Sequence, residues 1–268
     1  MFNQQNRRLT IKCIILRTVW CDFFSFLLIS LRINSIKMKV GVVIFPGSNC
    51  DQDAVYAFRN HFGCETVTLW HKDHDLQACD LVFLPGGFSF GDYLRSGAIA
   101  RFSPIMQHVI DFASKGGMVF GVCNGFQVLC ESHLLPGALL HNHHQKFNCK
   151  NVFIQAQTSN SALTSAIPVG KALKIPIAHG EGKYYCDAET LTALKQNDQI
   201  LFRYCDENGS ITDVANPNGS LENIAGICNQ SRNVFGMMPH PERAVDGNLY
   251  NTDGRLLFQS LLSLAEAH

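Results

Sequence analysis

The stretch MVFGVCNG, residues 118–125, joins a short apolar run to a small turn and decides the fold class. Residues 118–122 predict a buried strand, and the residues after Gly125 predict a helix. Between them, residues 121–125 have the form Gly-x-nucleophile-x-Gly, which is typical of a nucleophile on a sharp strand-to-helix turn. Glycine permits such a turn, and a helix N-terminus favours a thiolate. From the residues alone, Cys123 is either a nucleophile or a buried core cysteine beside a tight turn.

Apolar runs and amphipathic stretches alternate on both sides of this turn. The patterns predict strands at 39–45, 65–70, 80–84, 152–157, 200–205, 224–228 and 234–237, and helices at 51–62, at 104–114 and from Asp253 onward. The early part follows a β-α-β-α order. We therefore expect an α/β, flavodoxin-like, doubly wound fold, with a mostly parallel sheet, helices on both faces and the functional site at the carboxyl ends of the strands.

Composition limits the possible functions. The chain has 268 residues, of which 46% are hydrophobic and 16% charged, so a large core can form and bulk disorder is excluded. Lys and Arg together number 22, as do Asp and Glu, which argues against a nucleic-acid surface built on net charge. Since no apolar run reaches about 18 residues, we expect no membrane-spanning helix. We find no linker after Met38 and expect residues 38–268 to form a single domain.

The first 37 residues differ from the rest in charge, with six basic residues and one acid. This composition is compatible with an organellar transit peptide, and residues 23–31 are long enough for the apolar part of a signal peptide. Arg17 and Asp22 interrupt the apolar stretch, however, and no small-x-small cleavage site follows it. The third interpretation is upstream sequence read in frame, with Met38 as the natural start. We leave this segment out of the fold prediction.

Cysteine usage indicates the compartment. The chain has 11 cysteines, an odd number, and no Cys-x-x-Cys pair. This pattern fits neither a disulfide scaffold nor a paired zinc site. We expect a reducing compartment, the cytoplasm, with most cysteines acting as small core residues.

A second chemical signal is Met238-Pro239-His240-Pro241-Glu242. The two prolines exclude a helix at His240 and predict an extended chain. Because residues two apart in an extended chain point to the same side, Glu242 can reach the His240 ring. A base and its orienting carboxylate would complete a nucleophilic triad. The alternative is a surface turn with an incidental histidine.

A third signal is Pro85-Gly86-Gly87, at the end of another predicted strand. Its backbone can offer N–H donors to an oxyanion, together with the N–H of Asn124. The alternative is an ordinary strand-to-loop turn. The stretch is neither a phosphate loop nor a dinucleotide fingerprint, so it gives no support for nucleotide binding.

Together and in this order, Pro-Gly-Gly at 85–87, Gly-x-Cys-x-Gly-x-Gln at 121–127 and His-Pro-Glu at 240–242 resemble the class I (triad) glutamine amidotransferases. Five further stretches are similar to the glutaminase subunits of phosphoribosylformylglycinamidine synthase, a family within that class. They are residues 45–51, 91–98, 178–182, 217–220 and 237–244. The resemblance runs from Met38 to the last helix.

The resemblance implies a role for six residues. The nucleophile is Cys123, the acid/base is His240 and its orienting carboxylate is Glu242. The residues that bind the substrate are Gln127, which contacts glutamine, and Gly87 and Asn124, whose N–H groups hold the oxyanion.

The resemblance also implies the reaction and the partners. A cysteine thioester pathway hydrolyses L-glutamine to glutamate and ammonia. Ammonia passes to a separate ATP-dependent synthetase subunit, which makes formylglycinamidine ribonucleotide in de novo purine biosynthesis, and a small third subunit helps to join the two. ATP and magnesium are expected on the synthetase, and no cofactor is expected in this chain. The alternatives are a glutaminase for another ammonia acceptor, a cysteine hydrolase or peptidase of similar fold, and an inactive partner-binding scaffold.

Some residues depart from this pattern or stand outside it. Arg232 occupies a position where the family pattern has glycine, which predicts an altered turn before the last strand and an unaffected triad. We interpret residues 141–144, His-Asn-His-His, as a solvated loop near the glutamine pocket or a subunit interface, because no acidic or cysteine partner lies at metal-ligand spacing. Residues 178–182 resemble a second His/Glu pair and are interpreted as a structural or docking loop.

Overall fold

The computed structural model describes residues 38–265, so the interpretations of the first 37 residues lie outside the described part. Its eleven strands are β1 Lys39–Ile44, β2 Glu65–Trp70, β3 Leu81–Leu84, β4 Met118–Val122, β5 Ala138–Leu140, β6 Asn148–Ala156, β7 Ala172–His179, β8 Lys183–Tyr185, β9 Ile200–Cys205, β10 Ile224–Cys228 and β11 Val234–Met237. Nine of them form one sheet in the order β2-β1-β3-β4-β11-β10-β9-β6-β7, and β5 pairs with β8.

The first five strands of the sheet order are mutually parallel. The order β2-β1-β3-β4 is that of the flavodoxin-like fold. Of the five parallel strands, β1, β3, β4 and β11 are short and almost fully buried, as expected from the apolar runs that predicted them. The prediction of a doubly wound α/β fold is confirmed.

The other four pairings of the large sheet are antiparallel: β11 with β10, β10 with β9, β9 with β6, and β6 with β7. Only β6 and β10 consequently run against the other seven strands. The sheet is therefore mostly parallel in strand direction, although half of its pairings are antiparallel.

Between residues 38 and 265, five α-helices accompany the sheet. They are α1 Asp51–Tyr56, α2 Pro104–Ser114, α3 Asn124–Glu131, α4 Ala188–Gln196 and α5 Arg255–Ala265. The predicted helix over 51–62 is α1 continued by one π-helical stretch, Ala57–His61, and the chain then turns at Gly63, where φ is 64°. Since β1-α1-β2 and β3-α2-β4 step in opposite directions along the sheet, right-handed crossovers place α1 and α2 on opposite faces.

Four elements were not predicted: β5, β7, β8 and α4. The expectation of a loop at residues 178–182 is partly wrong, because Ala178 and His179 are the last two residues of β7. No helix within the described residues is long and apolar enough to cross a membrane.

The turn before β11 contains Arg232 in the left-handed region, with φ of 58°. Glycine adopts this conformation without cost, whereas other residues lose about 1 kcal/mol there. The Arg232 guanidinium donates to the backbone carbonyls of Asn160, Asn197 and Asp198 at 2.5, 2.9 and 3.0 Å. It also pairs with the Asp198 carboxylate at 3.3 Å. The altered turn is thus tied to two neighbouring loops by its own side chain.

Candidate functional site

The carboxyl ends of two adjacent parallel strands bring Cys123 and His240 together. In the β4–β11 ladder, Val122 pairs with Met237, so the chain leaves both strands at the same edge of the sheet. The ladder continues one step further, because Cys123 N–H donates to the Met237 carbonyl at 2.8 Å. The positions of the two segments are thereby fixed by backbone hydrogen bonds.

Cys123 lies between β4 and α3 with φ of 52° and ψ of −108°, a strained conformation for a residue with a Cβ. Neither flanking glycine has a positive φ. Both are instead required by close packing: a Cβ on Gly125 would overlap the Leu84 carbonyl, and one on Gly121 would lie 2.6 Å from the Gly125 oxygen. The strain thus falls on Cys123 itself, and the glycines let α3 approach β3 and β4.

His240 and Glu242 form a buried pair. The Nδ1 atom of His240 lies 2.6 Å from Oε1 of Glu242, and the two side chains are 1% and 0% exposed. A carboxylate can only accept, so Nδ1–H donates and Nε2 is left as the proton acceptor. The prediction that Glu242 reaches His240 agrees with this geometry, but its reason was wrong. The chain is not extended there, since Pro241–Arg243 forms a 3₁₀ turn that brings the carboxylate back.

The surroundings of His240 stabilise its protonated form. Burial is the largest influence and alone would lower its pKa, but the Glu242 carboxylate and the Cys123 sulfur together outweigh it and raise the pKa to about 10. The buried Nε2 atom has no hydrogen-bond partner among the described residues. The raised pKa therefore means that the surroundings of His240 favour its imidazolium form, which the neighbouring Glu242 carboxylate stabilises.

Gly86 separates the two side chains, whereas in the sequence it was named only as part of Pro85-Gly86-Gly87 and given no role of its own. A Cβ there would lie 2.6 Å from His240 Cε1 and 3.3 Å from Cys123 Cβ. Any side chain at position 86 would therefore push the imidazole and the thiol apart. In the sequence, the one sign of this close approach is that the first residue after Pro85 is a glycine, which has no side chain to keep two neighbouring groups apart.

A second thiol, that of Cys50, lies within the same group. Its Sγ would be 3.1 Å from a Cβ on Gly86, and the Arg243 guanidinium donates to it at 3.1 Å. Burial nevertheless raises the pKa of Cys50 to about 12, so it stays a thiol at neutral pH. Cys50 is therefore a poor nucleophile at neutral pH.

The two predicted sources of oxyanion donors both border the thiol. Gly87 has φ of 134°, a conformation that only glycine adopts readily, and it lines the same cavity as Cys123. Asn124 is the first residue of α3, so its N–H has no partner within the helix. The Asn124 side chain is held in place, since its Oδ1 accepts from Ser89 N–H at 3.2 Å.

A cavity of about 140 Å³ opens above Cys123. Gln127, one helical turn after Cys123, is buried in its wall. Its Oε1 accepts from Asn124 Nδ2 at 2.9 Å, and its Nε2 donates to the Glu181 carbonyl at 2.6 Å. The structure therefore brings together all six residues that the sequence assigned to the site.

The opposite wall comes from the far edge of the sheet. Although β7 is five places from β4 in the strand order, the Pro176 carbonyl accepts from His240 N–H at 2.8 Å. The Cys123 thiol likewise donates to the Ala178 carbonyl, with a sulfur–oxygen distance of 3.6 Å. The antiparallel part of the sheet thus folds back over the catalytic edge and closes the cavity.

Two stretches set aside in the sequence contribute to this wall. His141 is exposed at the cavity, whereas Asn142 is fully buried and bonded to the His179 ring at 3.0 Å, so residues 141–144 are only partly solvated. Asp92, His179 and Glu181 also line the cavity and were not predicted as site residues. Within residues 38–265, no group of three or more His, Cys, Asp or Glu side chains has the geometry of a metal site.

Known proteins share this fold and these motifs. The sequence profile of the CobB/CobQ-like glutamine amidotransferase domain matches residues 37–255. The phosphoribosylformylglycinamidine synthase subunit PurQ of Koribacter versatilis is 55% identical over 225 residues, which are 84% of this chain and 97% of that one. PurQ of Acaryochloris marina is 56% identical over 226 residues, 84% of this chain and 96% of that protein.

A solved structure agrees with these relatives. A chain in the structure of PurLQS from Thermotoga maritima is 41% identical and superposes with a TM-score of 0.75, covering 85% of this chain and 99% of that one. The match extends over the strands and turns that carry Cys123 and His240. The chain therefore belongs to the PurQ family of phosphoribosylformylglycinamidine synthase subunits, within the class I glutamine amidotransferases.

Proposed function

We propose that this protein is the glutaminase subunit of a phosphoribosylformylglycinamidine synthase. It hydrolyses L-glutamine and supplies the ammonia to a synthetase subunit. The observation that carries the proposal is the buried His240–Glu242 pair beside Cys123, which sits on a strand-to-helix turn at the floor of a cavity.

The reaction begins at Cys123. Its thiol transfers a proton to His240 Nε2, and Glu242 stabilises the resulting imidazolium through Nδ1–H. The thiolate attacks the carboxamide carbon of glutamine and forms a carbon–sulfur bond. As the tetrahedral intermediate collapses, the imidazolium protonates the departing nitrogen, which leaves as ammonia. The γ-glutamyl thioester remains on Cys123.

Water completes the cycle. Neutral His240 takes a proton from water, whose oxygen attacks the thioester carbon, and the products are glutamate and the free thiol. Each tetrahedral intermediate carries an oxyanion, for which the N–H groups of Gly87 and Asn124 are the donors. Loss of one such donor typically lowers the rate by about 10²–10³.

The product ammonia passes to a separate ATP-using synthetase subunit, which converts formylglycinamide ribonucleotide to formylglycinamidine ribonucleotide in purine biosynthesis. A small third subunit completes the complex. ATP and magnesium act on the synthetase. We place the complex in the cytoplasm, consistent with buried free thiols such as Cys79, Cys130 and Cys228.

The test replaces Cys123 by Ala in the complete chain, with the synthetase subunits, formylglycinamide ribonucleotide and ATP present. Glutamine-dependent synthesis should be abolished, whereas synthesis from added ammonium should persist because it bypasses the thioester. Cys149→Ala, which removes an exposed thiol, is the matched control and should keep both activities. Loss of both activities in the Cys123 variant would contradict separable sites.

The same assay separates the alternative functions. Glutamate release by the unmodified chain that does not respond to the synthetase would assign its ammonia to a different acceptor. Cleavage of peptides or esters without glutamine hydrolysis would favour a cysteine hydrolase. Glutamine-dependent synthesis that survives in Cys123→Ala would favour a partner-binding scaffold.

A further inference from the structure

The cavity above Cys123 is negatively charged on one side. The carboxylates of Asp92 and Glu181 both line it, and none of the described residues that line it is Lys or Arg. Asp92 is half-buried, and burial together with Glu181 raises the pKa of Asp92 to about 6 against the hydrogen bond from Ser96. The Glu181 carboxylate also faces His141, whose Nε2 lies 3.4 Å from Glu181 Oε1. Two carboxylates in one small cavity still favour a cation between them.

The two carboxylates are held at opposite ends of one hydrogen-bonded chain. Asn124 Nδ2 donates to Asp92 Oδ1 at 3.3 Å and to Gln127 Oε1 at 2.9 Å. Gln127 Nε2 then donates to the Glu181 carbonyl, and the Glu181 carboxylate accepts from Ser96 N–H at 3.3 Å. Asp92 and Glu181 are consequently positioned relative to α3, and so relative to Cys123.

A buried acceptor without a partner lies in the same wall. The side-chain amide of Asn142 donates to the His179 carbonyl at 2.9 Å, so its Oδ1 is an acceptor and the His179 ring must donate to it from Nδ1. Burial lowers the pKa of His179 to about 4, so the ring is neutral at pH 7. Its Nε2 is then a lone-pair acceptor, buried and without a hydrogen-bond partner among the described residues. His179 is 3% exposed and lines the cavity, so its Nε2 is an acceptor to which a bound ligand can donate.

The dimensions suit an amino acid held by its side-chain amide. In extended glutamine, roughly 5 Å separates the carboxamide carbon from the α-nitrogen, from standard bond lengths. Gln127, which bonds both sides of the wall, lies four residues beyond Cys123, a rise of about 6 Å along α3. A glutamine whose carboxamide meets the thiol is therefore long enough to extend along the cavity to the part of the wall that Gln127 forms.

We propose that Asp92 and Glu181 bind the α-ammonium group of glutamine, and that this contact selects free α-amino acids over other primary amides. The inference rests on the proposed glutaminase function. The ammonium group supplies a cation between the two carboxylates and can donate to the partnerless Nε2 of His179. A primary amide without an α-ammonium would make none of these contacts and should therefore bind more weakly than glutamine.

The test compares L-glutamine with glutaramate, which is glutamine without the α-amino group, in the complex with the synthetase subunits. The variants are Asp92→Asn and Glu181→Gln, with Asp111→Asn on the exposed face of α2 as the matched control. Each site variant should lower kcat/KM for glutamine about thirtyfold or more and leave that for glutaramate within about threefold. The unmodified chain and Asp111→Asn should keep the full preference for glutamine.

A second measurement serves if glutaramate is hydrolysed too slowly for its kcat/KM to be determined. The diazoketone 6-diazo-5-oxo-L-norleucine carries an α-ammonium and alkylates a glutaminase thiol, whereas iodoacetamide carries none. In the site variants, modification of Cys123 by the diazoketone should slow at least tenfold, and modification by iodoacetamide should change less than threefold. Peptide mass mapping identifies the labelled cysteine.

The outcomes separate the two proposals. If the unmodified complex hydrolyses no glutamine, the glutaminase proposal is wrong. If it does hydrolyse glutamine, but both variants keep the ratio between glutamine and glutaramate and the ratio between the two alkylating agents, the α-ammonium proposal is wrong and the glutaminase proposal stands.

Discussion

Asp92→Asn should stabilise the folded protein while it impairs glutamine binding. The folded chain holds this carboxyl group in a half-buried position near Glu181, where burial is the main reason that its pKa rises from 3.8 to about 6. A raised pKa for an acid means that its ionised form is disfavoured in the folded state. Asparagine has nearly the same shape, accepts the same hydrogen bond from Asn124 and carries no charge.

The size of the effect follows from the pKa. A rise of about two pH units corresponds to roughly 3 kcal/mol at most, at about 1.4 kcal/mol per unit. Because solvent screens a half-buried group, we expect about half of this, near 1.5 kcal/mol. Asparagine also tolerates the left-handed φ of 53° at position 92 better than most residues, which acts in the same direction. The Tm should rise by about 3–6 °C.

The gain should depend on pH with a definite sign. As the pH rises from about 4, the unfolded chain loses the Asp92 proton first, and the folded chain keeps it until about pH 6. In the unmodified protein, the loss of folding stability that the charged Asp92 causes is thus nearly absent below about pH 4 and nearly complete above about pH 6. The stability difference between Asp92→Asn and the unmodified chain should be roughly a third to a half of its full size at pH 4.5 and complete by pH 7.5.

Urea unfolding at pH 4.5, 6.0 and 7.5 measures this difference. Asp111→Asn is the control, because its carboxylate is exposed and its replacement should have little effect at any of the three pH values. A loss of stability in Asp92→Asn, or a gain that is the same at all three pH values, would refute the reasoning.

Three further predictions concern the orienting carboxylate, the turn before β11 and the N-terminal segment. Glu242→Gln should lower kcat for glutamine by about 10²–10⁴ and spare ammonia-dependent synthesis, because a neutral amide does not stabilise the His240 imidazolium; a loss below threefold would contradict this. In Arg232→Ala, the free energy of unfolding measured with urea should fall by about 2 kcal/mol, because the guanidinium contacts are lost. In Arg232→Gly it should fall by only about 1 kcal/mol, because glycine also relieves the left-handed strain, and equal stability of the two variants would exclude that strain. A chain that begins at Met38 should keep its glutaminase activity and a Tm within about 2 °C, because the family profile begins at residue 37; a fall of several degrees would assign residues 1–37 a structural role.

The sequence predicted best the strands that are buried on both faces. The predictions for β2, β4, β9, β10 and β11 have the bounds that the structure shows. Four of these five strands are almost completely buried, so an apolar run bounded by turns was enough to find them. β2 is half-exposed at the sheet edge, and its β-branched residues and alternation identified it.

The missed elements carry weaker local signals. β7 contains Pro176 and alternates between buried and partly exposed residues, and a proline normally argues against a strand. It is tolerated here because β7 is the last strand of the sheet. In α4 only Leu194 is buried, so no apolar stripe marks the helix. Its N-cap was visible in the sequence, since Asp187 accepts from Thr190 N–H at 2.8 Å and Glu189 lies in the first turn.

The same division applies to the site. Cys123, His240 and Glu242 stand in short motifs whose chemistry can be recognised without a fold. Asp92 and His179 could not be recognised in this way, because their surroundings depend on β7 folding back over the edge of the sheet. No local pattern at Asp92 records that Glu181, 89 positions later in the chain, will face the same cavity.

The two parts of the site are also attached to the protein differently. Cys123 and His240 follow two central strands that are paired with each other, and backbone hydrogen bonds continue across to Cys123 itself. The wall that carries Asp92 comes instead from a loop in which Phe90, Gly91 and Asp92 all have left-handed φ values, of 54°, 67° and 53°. Tyr93 and Leu94 follow directly and are 71% and 82% exposed. These two side chains adjoin Asp92, and Asn124 Nδ2 donates to Asp92 Oδ1 at 3.3 Å, so the loop is bonded to the residue that follows Cys123. The Asp92 loop therefore reaches the nucleophile's neighbour through one side-chain contact, while the backbone of Cys123 is fixed by the central strands.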